Sequence, residues 1–576
     1  MTKKIWKIKP QPDEFTVKSL AESLNISESI AKLLVLRDIK NYQQAKKFFR
    51  PTLDSIYDPF LMNGMEAATS RIIKAITANE MICIYGDYDV DGTCATALLY
   101  MFLQKLGAQM EFYIPKRLTE GYGISRLGIE HVKQRNTSLL VSVDCGITAV
   151  EETKLANDLG MDVIICDHHQ PKEELPHAYA ILDPLKPNCN YPFKYLSGAG
   201  IAFKLAQGIA ERIGKRELPM QYLDLVAFAA SADIVSLTDE NRILVREGLN
   251  QVNNSPRPGI KALIKSSHLE PGDLTSGQIV FTIAPRINAV GRLGDAERAV
   301  KLLITEDVDE AFSLAEVLES ENFERRKIDE GTFSQALDLV ETQLNLDKTL
   351  AIILHEESWH PGVIGIVASR LVEKYYRPTI MLTTVDGVAK GSARSTGNFN
   401  IYGALKKCED MLIHFGGHQS AAGLAVEVDK IDEFRNKFNQ IVKETLGEDE
   451  FLPEINIDAK LKFSDLTPKF FRIIDQFAPF GPGNMRPVFW SENLHIEGKP
   501  RFVGNNHLII NLKQKGSDRI LDCIGFNMGE MCEQLTKNHS SVEAVFSIDK
   551  YTKDGKTFPQ LKLKDIHINE NNQEIS

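Results

Sequence analysis

The chain has 576 residues, 43% of them hydrophobic and 25% charged, with 78 acidic against 67 basic side chains and a formal net charge of −11. That length calls for several domains, the composition is that of an ordinary soluble globular protein, and no run approaches the roughly 18 apolar residues of a membrane span. The acidic balance excludes a uniformly basic nucleic-acid surface, so any such partner must be met by local basic groups while acidic ones serve metals or face solvent.

The opening "MTKKIWKIKPQPDEF" is basic and lacks the apolar core of a signal peptide, so cytoplasmic residence is the expectation. Eight scattered cysteines form no C-x-x-C, which supports neither a zinc ribbon nor a disulfide framework. Residues 14–50 read as short helices, and "MEAATSRIIKAITANE" as another. A repeating pattern follows. "MICIY" ends at Gly86 and Asp87, and "TCATALLYMFLQKLG" is helical with Gly107 as its C-cap. "MEFYIP" is strand-like, "SLLVSV" ends at Asp144, "AVEETKLANDLG" is helical and "MDVIIC" ends at Asp167. Short apolar runs alternating with helices predict a parallel sheet covered on both faces, with ligands bound beyond the carboxyl ends of its strands. Three of these runs stop on aspartate, so "GDYDVDG", "VDCG" and "DHH" are expected at one edge of one sheet.

Residues 306–343 hold no proline and a single glycine. If continuous they make about 57 Å of helix, at 1.5 Å per residue. "TLAIILHEE" opens a second α/β unit that reaches about residue 448. Beyond "LPEINID", five strand-like stretches broken by Gly, Asn and Lys fit a small barrel of the OB type. "YTKDGKTF" predicts a hairpin turning on Asp554 and Gly555, and "NENNQEIS" a frayed tail.

Asp87, Asp89 and Asp91 stand two apart at the edge of an apolar run, where like charges repel and unpaired burial is costly. A solvated acidic loop is the plain alternative for that run alone. A calcium loop also begins D-x-D-x-D-G, but its twelfth position needs a bidentate Glu and here holds Leu98. Asp167, His168 and His169 are consecutive, and carboxylate with imidazole is a transition-metal donor set. Asp144 is a further strand-end carboxylate, and Asp233 in "FAASADIVSLTDENR" follows an apolar helical stretch aimed at the same edge. So many anions call for two divalent cations; mixed donors favour Mn²⁺ and admit Mg²⁺. Such a pair is the usual means of hydrolysing phosphate esters.

In order, "GDYDVDG", "VDCG", "DHH" and "SADIVSLTDENR" resemble the four motifs of the DHH phosphoesterase superfamily. "HPGVIGIVASRL", "GSARS" and "FGGHQSAAG" resemble its accessory DHHA1 domain. The likeness covers roughly residues 50–570. It implies an α/β protein: a helical segment over 1–50, a DHH catalytic domain with a parallel sheet over 51–305, a connecting helix over 306–346, a DHHA1 domain over 347–448 and an OB-fold-like barrel over 449–576. It further implies a 5′→3′ exonuclease of single-stranded DNA in repair and recombination. The implied cofactors are two divalent cations, Mn²⁺ preferred and Mg²⁺ accepted. A single-strand-binding protein and a RecQ-type helicase are the implied partners. The superfamily's metal ligands carry over to Asp87, Asp89, Asp91, Asp144, His168 and Asp233. Asp144 would bridge, with Asp87 and Asp89 on one ion and Asp91, His168 and Asp233 on the other. His169 would act at the scissile phosphate or leaving group, and Asp167 would orient a histidine.

For DNA, the resemblance points to Ser392 and Arg394 in "GSARS", read as a Gly-rich loop, and to Arg117, as a pocket for a terminal phosphate. A surface turn is the alternative. His418 follows two glycines before an expected helix start that would suit a phosphate, and His360 faces the cleft. Arg286 and Arg292 are assigned to the DNA channel, with structural salt bridges as the alternative. The barrel would add a groove for single strands. Two rivals remain: a phosphodiesterase of short oligonucleotides or cyclic dinucleotides, and a non-catalytic replication scaffold.

Overall fold

The computed structural model describes residues 4–569 apart from 118, 347–348, 398, 448–450, 505, 538–540 and 554–555. The expected turn at Asp554 and Gly555, and nearly all of the "NENNQEIS" tail, lie outside the described residues. The chain divides into two compact units. One holds residues 12–322 and 467–486; the other holds 1–11, 323–466 and 487–576.

The first unit is built on a wholly parallel sheet in the order Gln109–Tyr113, Met81–Tyr85, Thr137–Val143, Asp162–Cys166, Ala180–Leu182. Side chains alternate between its faces. Ile82, Ile84, Leu139, Val141 and Ile164 share one core with the helices Val90–Gln104 and Gly198–Arg212. Cys83, Tyr85, Leu140, Val163 and Ile165 share another with Ile129 and Val132 of the helix Arg126–Gln134. Burial on both faces is why these strands read as unbroken apolar runs. The short helices Glu14–Leu24, Glu28–Val35 and Tyr42–Phe49 are each started by a side-chain cap, from Asp13, Ser27 and Asn41. Residues 467–486 come from within the barrel-forming sequence but pack in this unit.

The helix expected over 306–343 runs from Val308 to Gln343 as one element. Ala311, Ala315 and Leu318 enter the core of the first unit, and Ala336 and Val340 enter a core of the second with Ile352 and Met381.

In the second unit a mixed sheet runs Leu412–Gly417, Ala421–Glu427, Val388–Arg394, Thr379–Val385, Ile352–His355, with only the last pair parallel. The barrel runs Val488–Val503, His507–Gln514, Ile520–Gly525, Lys556–Ile568, Val542–Lys553, and closes where the last strand pairs with the first. Closure leaves these five strands no open edge. Ile5–Ile8 pairs in parallel with Glu454–Ile457. Among the described residues, no helix is long and apolar enough to cross a membrane.

Candidate functional site

The strand ends of the parallel sheet bring the acidic motifs together. Asp87 follows Met81–Tyr85, Asp144 follows Thr137–Val143, and Asp167 to His169 follow Asp162–Cys166. Asp89 caps the helix Val90–Gln104 by accepting from Gly92 N at 3.0 Å, which places Asp91 in its first turn. The Asp91 carboxylate in turn accepts from the first amides of another helix, Gly198 N at 2.6 Å and Ala199 N at 2.7 Å. Helix N-termini favour anions, so this contact fixes Asp91 without neutralising the cluster. Asp144 adopts a left-handed backbone at φ 61°, and its carbonyl accepts from Tyr122 Oη at 3.0 Å. Asp233 stands at the C-terminal end of the helix Leu223–Ala232.

His168 Nε2 sits at the centre. It lies 3.1 Å from Asp144 Oδ1, 3.8 Å from Asp91 Oδ2 and 3.7 Å from Asp233 Oδ2. Three overlapping triplets each present donor atoms within 4.8 Å of one another: Asp87, Asp89 and Asp144; Asp91, His168 and Asp233; Asp144, His168 and His169. Asp87 Oδ1, Asp144 Oδ1 and His168 Nε2 are buried and make no hydrogen bond. Groups buried this way are strongly penalised unless something positive meets them. Burial first, and repulsion between the carboxylates second, push Asp87, Asp91, Asp144 and Asp233 above the usual carboxylate range. Burial pulls His168 down to about 4, so its ring is neutral and its lone pair available. The donor set therefore fits divalent cations.

Asp167 is different. Its oxygens accept from His168 N, His169 N and Ile147 N, and Oδ1 lies 2.7 Å from His169 Nδ1. Burial would raise its pKa, but the hydrogen bond and charge of His169 hold it below the usual range. Burial likewise opposes charge on His169, yet the bond to Asp167 and its charge lift that ring to about 9. The histidine that Asp167 holds is thus His169, and the pairing favours its protonated ring.

Beside the cluster, Asp87, Tyr88, Asp89, Arg117, Tyr122, Asn288 and Arg292 line a pocket of about 250 Å³. Arg117 lies over the Tyr88 ring, 5.1 Å from its centroid. Asn288 and Arg292 are one turn apart on the helix Ala284–Leu293. Gly291 lets that helix approach, since a Cβ there would lie 2.5 Å from Tyr88 O. Asn288 Oδ1 is buried without a hydrogen-bond partner. Arg286 does not share this wall: it is buried and ion-paired with Glu319 at 2.5 Å, so it braces the helix Val308–Gln343 and is not offered to a DNA channel.

The DHHA1 motifs lie in the second unit, and two of them differ from expectation. "GSARS" is not a loop: Ser392 and Arg394 stand on the strand Val388–Arg394, two apart and hence on one face. Arg394 Nη1 donates to Ser392 Oγ at 2.9 Å. Gly365 makes room for both, since a Cβ there would meet Ser392 Oγ at 2.8 Å and Arg394 Nη2 at 2.9 Å. His418 precedes no helix. It lies in the turn between Leu412–Gly417 and Ala421–Glu427, and its N–H donates to Ala421 O at 2.8 Å. That amide is not available to a phosphate. His360 lies just before the helix Ile364–Tyr375, accepting from Gly362 N at 3.0 Å, with its pKa lowered by burial.

Sequence reasoning missed four parts of the first unit's site. "SGAG" carries a legible signal, a Ser cap and glycines opening an apolar helix. Asp183 ends a fourth strand, Ala180–Leu182, too short to register as an apolar run. Asn288 hides between two arginines, and Tyr122 has no local signal.

Family models match along the chain: the DHH family N-terminal domain over 81–230, the DHHA1 domain over 347–444 and the RecJ OB domain over 457–565. The single-stranded-DNA-specific exonuclease RecJ of Bacillus subtilis is 42% identical over 568 residues, covering 98% of this chain and 71% of its own. RecJ of Escherichia coli is 33% identical, covering 81% of this chain and 84% of its own. The crystal structure of RecJ in complex with Mn²⁺ from Thermus thermophilus superposes with a TM-score of 0.83 at 28% identity, over 98% of this chain and 80% of that one. The chain belongs to the RecJ family of DHH phosphoesterases.

Proposed function

We propose that this chain is a 5′→3′ exonuclease of single-stranded DNA, using two divalent cations, Mn²⁺ in preference to Mg²⁺, in DNA repair and recombination. The observation that carries the reading is the set of buried, unbonded donor atoms, Asp87 Oδ1, Asp144 Oδ1 and His168 Nε2, within overlapping ligand triplets. Asp87 and Asp89 would hold one cation, Asp91, His168 and Asp233 the other, and Asp144 both. When bound, the pair supplies a water nucleophile at neutral pH and offsets charge on the attacking and leaving oxygens.

The remaining chemistry belongs to the chain. Gly198 N and Ala199 N hold Asp91 in register, and Tyr122 Oη anchors the Asp144 backbone. His169, kept protonated by Asp167, donates to a phosphate oxygen or to the leaving group. Arg117, Asn288 and Arg292 take a nucleotide phosphate in the adjoining pocket. Ser392 and Arg394 receive a terminal 5′ phosphate, and His360 and His418 contact the strand. Such a capped end accounts for polarity. The RecJ structures from Thermus thermophilus in complex with Mn²⁺ and with Mg²⁺ support divalent cations as the metals. A single-strand-binding protein and a RecQ-type helicase are the partners by kinship, and the setting is the cytoplasm.

The test is digestion of 5′- and 3′-labelled single-stranded DNA with Mn²⁺, beside Asp144→Ala. Release of label from the 5′ end first, abolished in the variant, is the expected result. Faster cleavage of a dinucleotide than of a long strand would replace this reading with that of a short-oligonucleotide phosphodiesterase. No cleavage with Mn²⁺ would leave the scaffold.

A further inference from the structure

Asp233 is held differently from the other proposed ligands. Asp87, Asp144 and His168 follow sheet strands, and Asp91 is gripped by two amides. Asp233 merely caps the C-terminal end of Leu223–Ala232. The next residue, Ile234, has φ 59°, a conformation that β-branched residues avoid. The residue is 59% exposed, so core burial does not compensate the strain. Such a backbone persists only where its surroundings over-determine it.

The segment that follows, Ser236 to Leu237, is held by Asn241 Nδ2, which donates to Ser236 O at 3.0 Å, and by residues 476–484. Pro482 O accepts from Leu237 N at 2.8 Å. Phe477 O and Gln476 O accept from the buried Arg242 guanidinium at 2.7 and 3.2 Å. Gly481 and Gly483 lie flat on the segment after Asp233: a Cβ would lie 2.6 Å from Leu237 Cδ1 at the first and 2.6 Å from Ser236 Oγ at the second. Asn484 closes the loop on itself, its Nδ2 donating to Phe477 O and Pro479 O while its Oδ1 accepts from Arg37 Nε. The same loop reaches the pocket wall. Phe480 O accepts from Ser276 Oγ at 2.8 Å, just ahead of the π-helical turn Ile279–Ile283 and the helix bearing Asn288 and Arg292.

We propose that residues 476–484, borrowed from the barrel-forming sequence, are a latch that positions Asp233 for cation binding, with Gly481 and Asn484 as positioning residues. The inference rests on the reading of Asp233 as a ligand. A loop that only docked would change stability; a latch changes the affinity of one cation.

The test is Mn²⁺ titration of the chelator-stripped full chain, followed by electron paramagnetic resonance of unbound Mn²⁺, beside thermal melting. Wild type is expected to bind two Mn²⁺ and Asp233→Ala to lose one. Gly481→Ala, whose methyl meets Leu237, is expected to weaken one Mn²⁺ by about tenfold or more and spare the other. Adding Leu237→Ala, which vacates that space, is expected to restore binding. Asn484→Ala opens the loop without adding atoms and is expected to act like Gly481→Ala, which covers the case where Gly481→Ala fails to fold. If Asn484→Ala melts lower yet binds both Mn²⁺ as wild type does, while Asp233→Ala loses one, the latch is wrong and the ligand stands. If Asp233→Ala binds both, the ligand reading falls and the latch with it.

Discussion

Gly198→Ala inserts one methyl group at the point where two of the proposed ligands are held. Its Cβ would lie 2.5 Å from Asp144 Cβ and 2.7 Å from Asp144 Oδ1. Carbon atoms in contact sit about 3.5–4.0 Å apart, so one partner must yield by about 1 Å. If Asp144 yields, a ligand shared between the two proposed cations moves. If the helix withdraws, Asp91 loses its bonds from Gly198 N and Ala199 N, now 2.6 and 2.7 Å long. Each bond to a charged group is worth about 1.5–3 kcal/mol, whereas alanine in a helix returns at most about 1 kcal/mol. A displacement of about 1 Å at a reacting centre costs about 10²-fold in rate. Gly200→Ala is the control: it lies in the same helical turn, but its Cβ would stand 3.4 Å from the Leu196 side chain, a contact that needs little adjustment. Hydrolysis of 5′-labelled single-stranded DNA, with Mn²⁺ varied, is expected to show kcat reduced about 10²-fold for Gly198→Ala and within about twofold of wild type for Gly200→Ala. Wild-type kcat and Mn²⁺ dependence in Gly198→Ala would refute the geometry, as would equal loss in both.

Burial pushes the Asp183 carboxyl up to about 7, and its Oδ2 has no hydrogen-bond partner. With the folded pKa above the unfolded one, ionisation destabilises the fold by nothing below about pH 4 and by its full amount above about pH 7. Asp183→Asn should therefore raise the melting temperature at pH 8 and leave it unchanged at pH 4; an equal shift at both would count against the assignment. Arg394→Ala should slow cleavage of a 5′-phosphorylated strand more than of a 5′-hydroxyl strand, and equal slowing would remove the terminal-phosphate pocket. Mn²⁺ at a hundredfold its Kd should stabilise the chelator-stripped protein by about 2.7 kcal/mol per site, read by thermal melting. Asp144→Ala should forfeit most of that gain, and a full gain in the variant would exclude Asp144 as a ligand.

The convergence of the acidic cluster was legible because its signal is local and repeated. Each of three strands ends its apolar run on the residue that matters, and a parallel sheet gathers such ends at one edge. Arg286 misled because a charged residue off an obvious helical face reads alike whether it meets DNA or Glu319. "GSARS" hid a strand behind its glycine: Gly391 is small because a Cβ would lie 2.5 Å from Leu382 Cδ2 and 2.9 Å from Leu424 Cδ2, which is sheet packing and not loop freedom. In "FGGHQSAAG" the glycines end one hairpin strand, where helix-start logic does not apply. The placement of 467–486 had no local signal at all. "FAPFGPGNMR" reads as any loop, and only long-range packing assigns it to the first unit.

Together these placements explain how an acidic chain can keep several carboxylates buried at one point. Each carboxyl group is fixed by groups that carry no positive charge: backbone amides for Asp91, a strand end and a left-handed φ for Asp144, a helix cap for Asp89. Asp167, with amide partners and a charged His169, has its demand met and is spent on orientation. The unmet demand is concentrated on Asp87, Asp144 and His168. Without cations the cluster is a local source of instability set in a rigid frame, so cation binding need not reorganise it. Preorganisation of this kind makes the site sensitive to ångström-scale shifts in its supports. By that logic, loss of a support should mimic loss of the ligand it holds. The residues most damaging to alter, after the proposed ligands, should then be Gly198 and Gly481, which carry no functional group but leave room where a proposed ligand's support must come close.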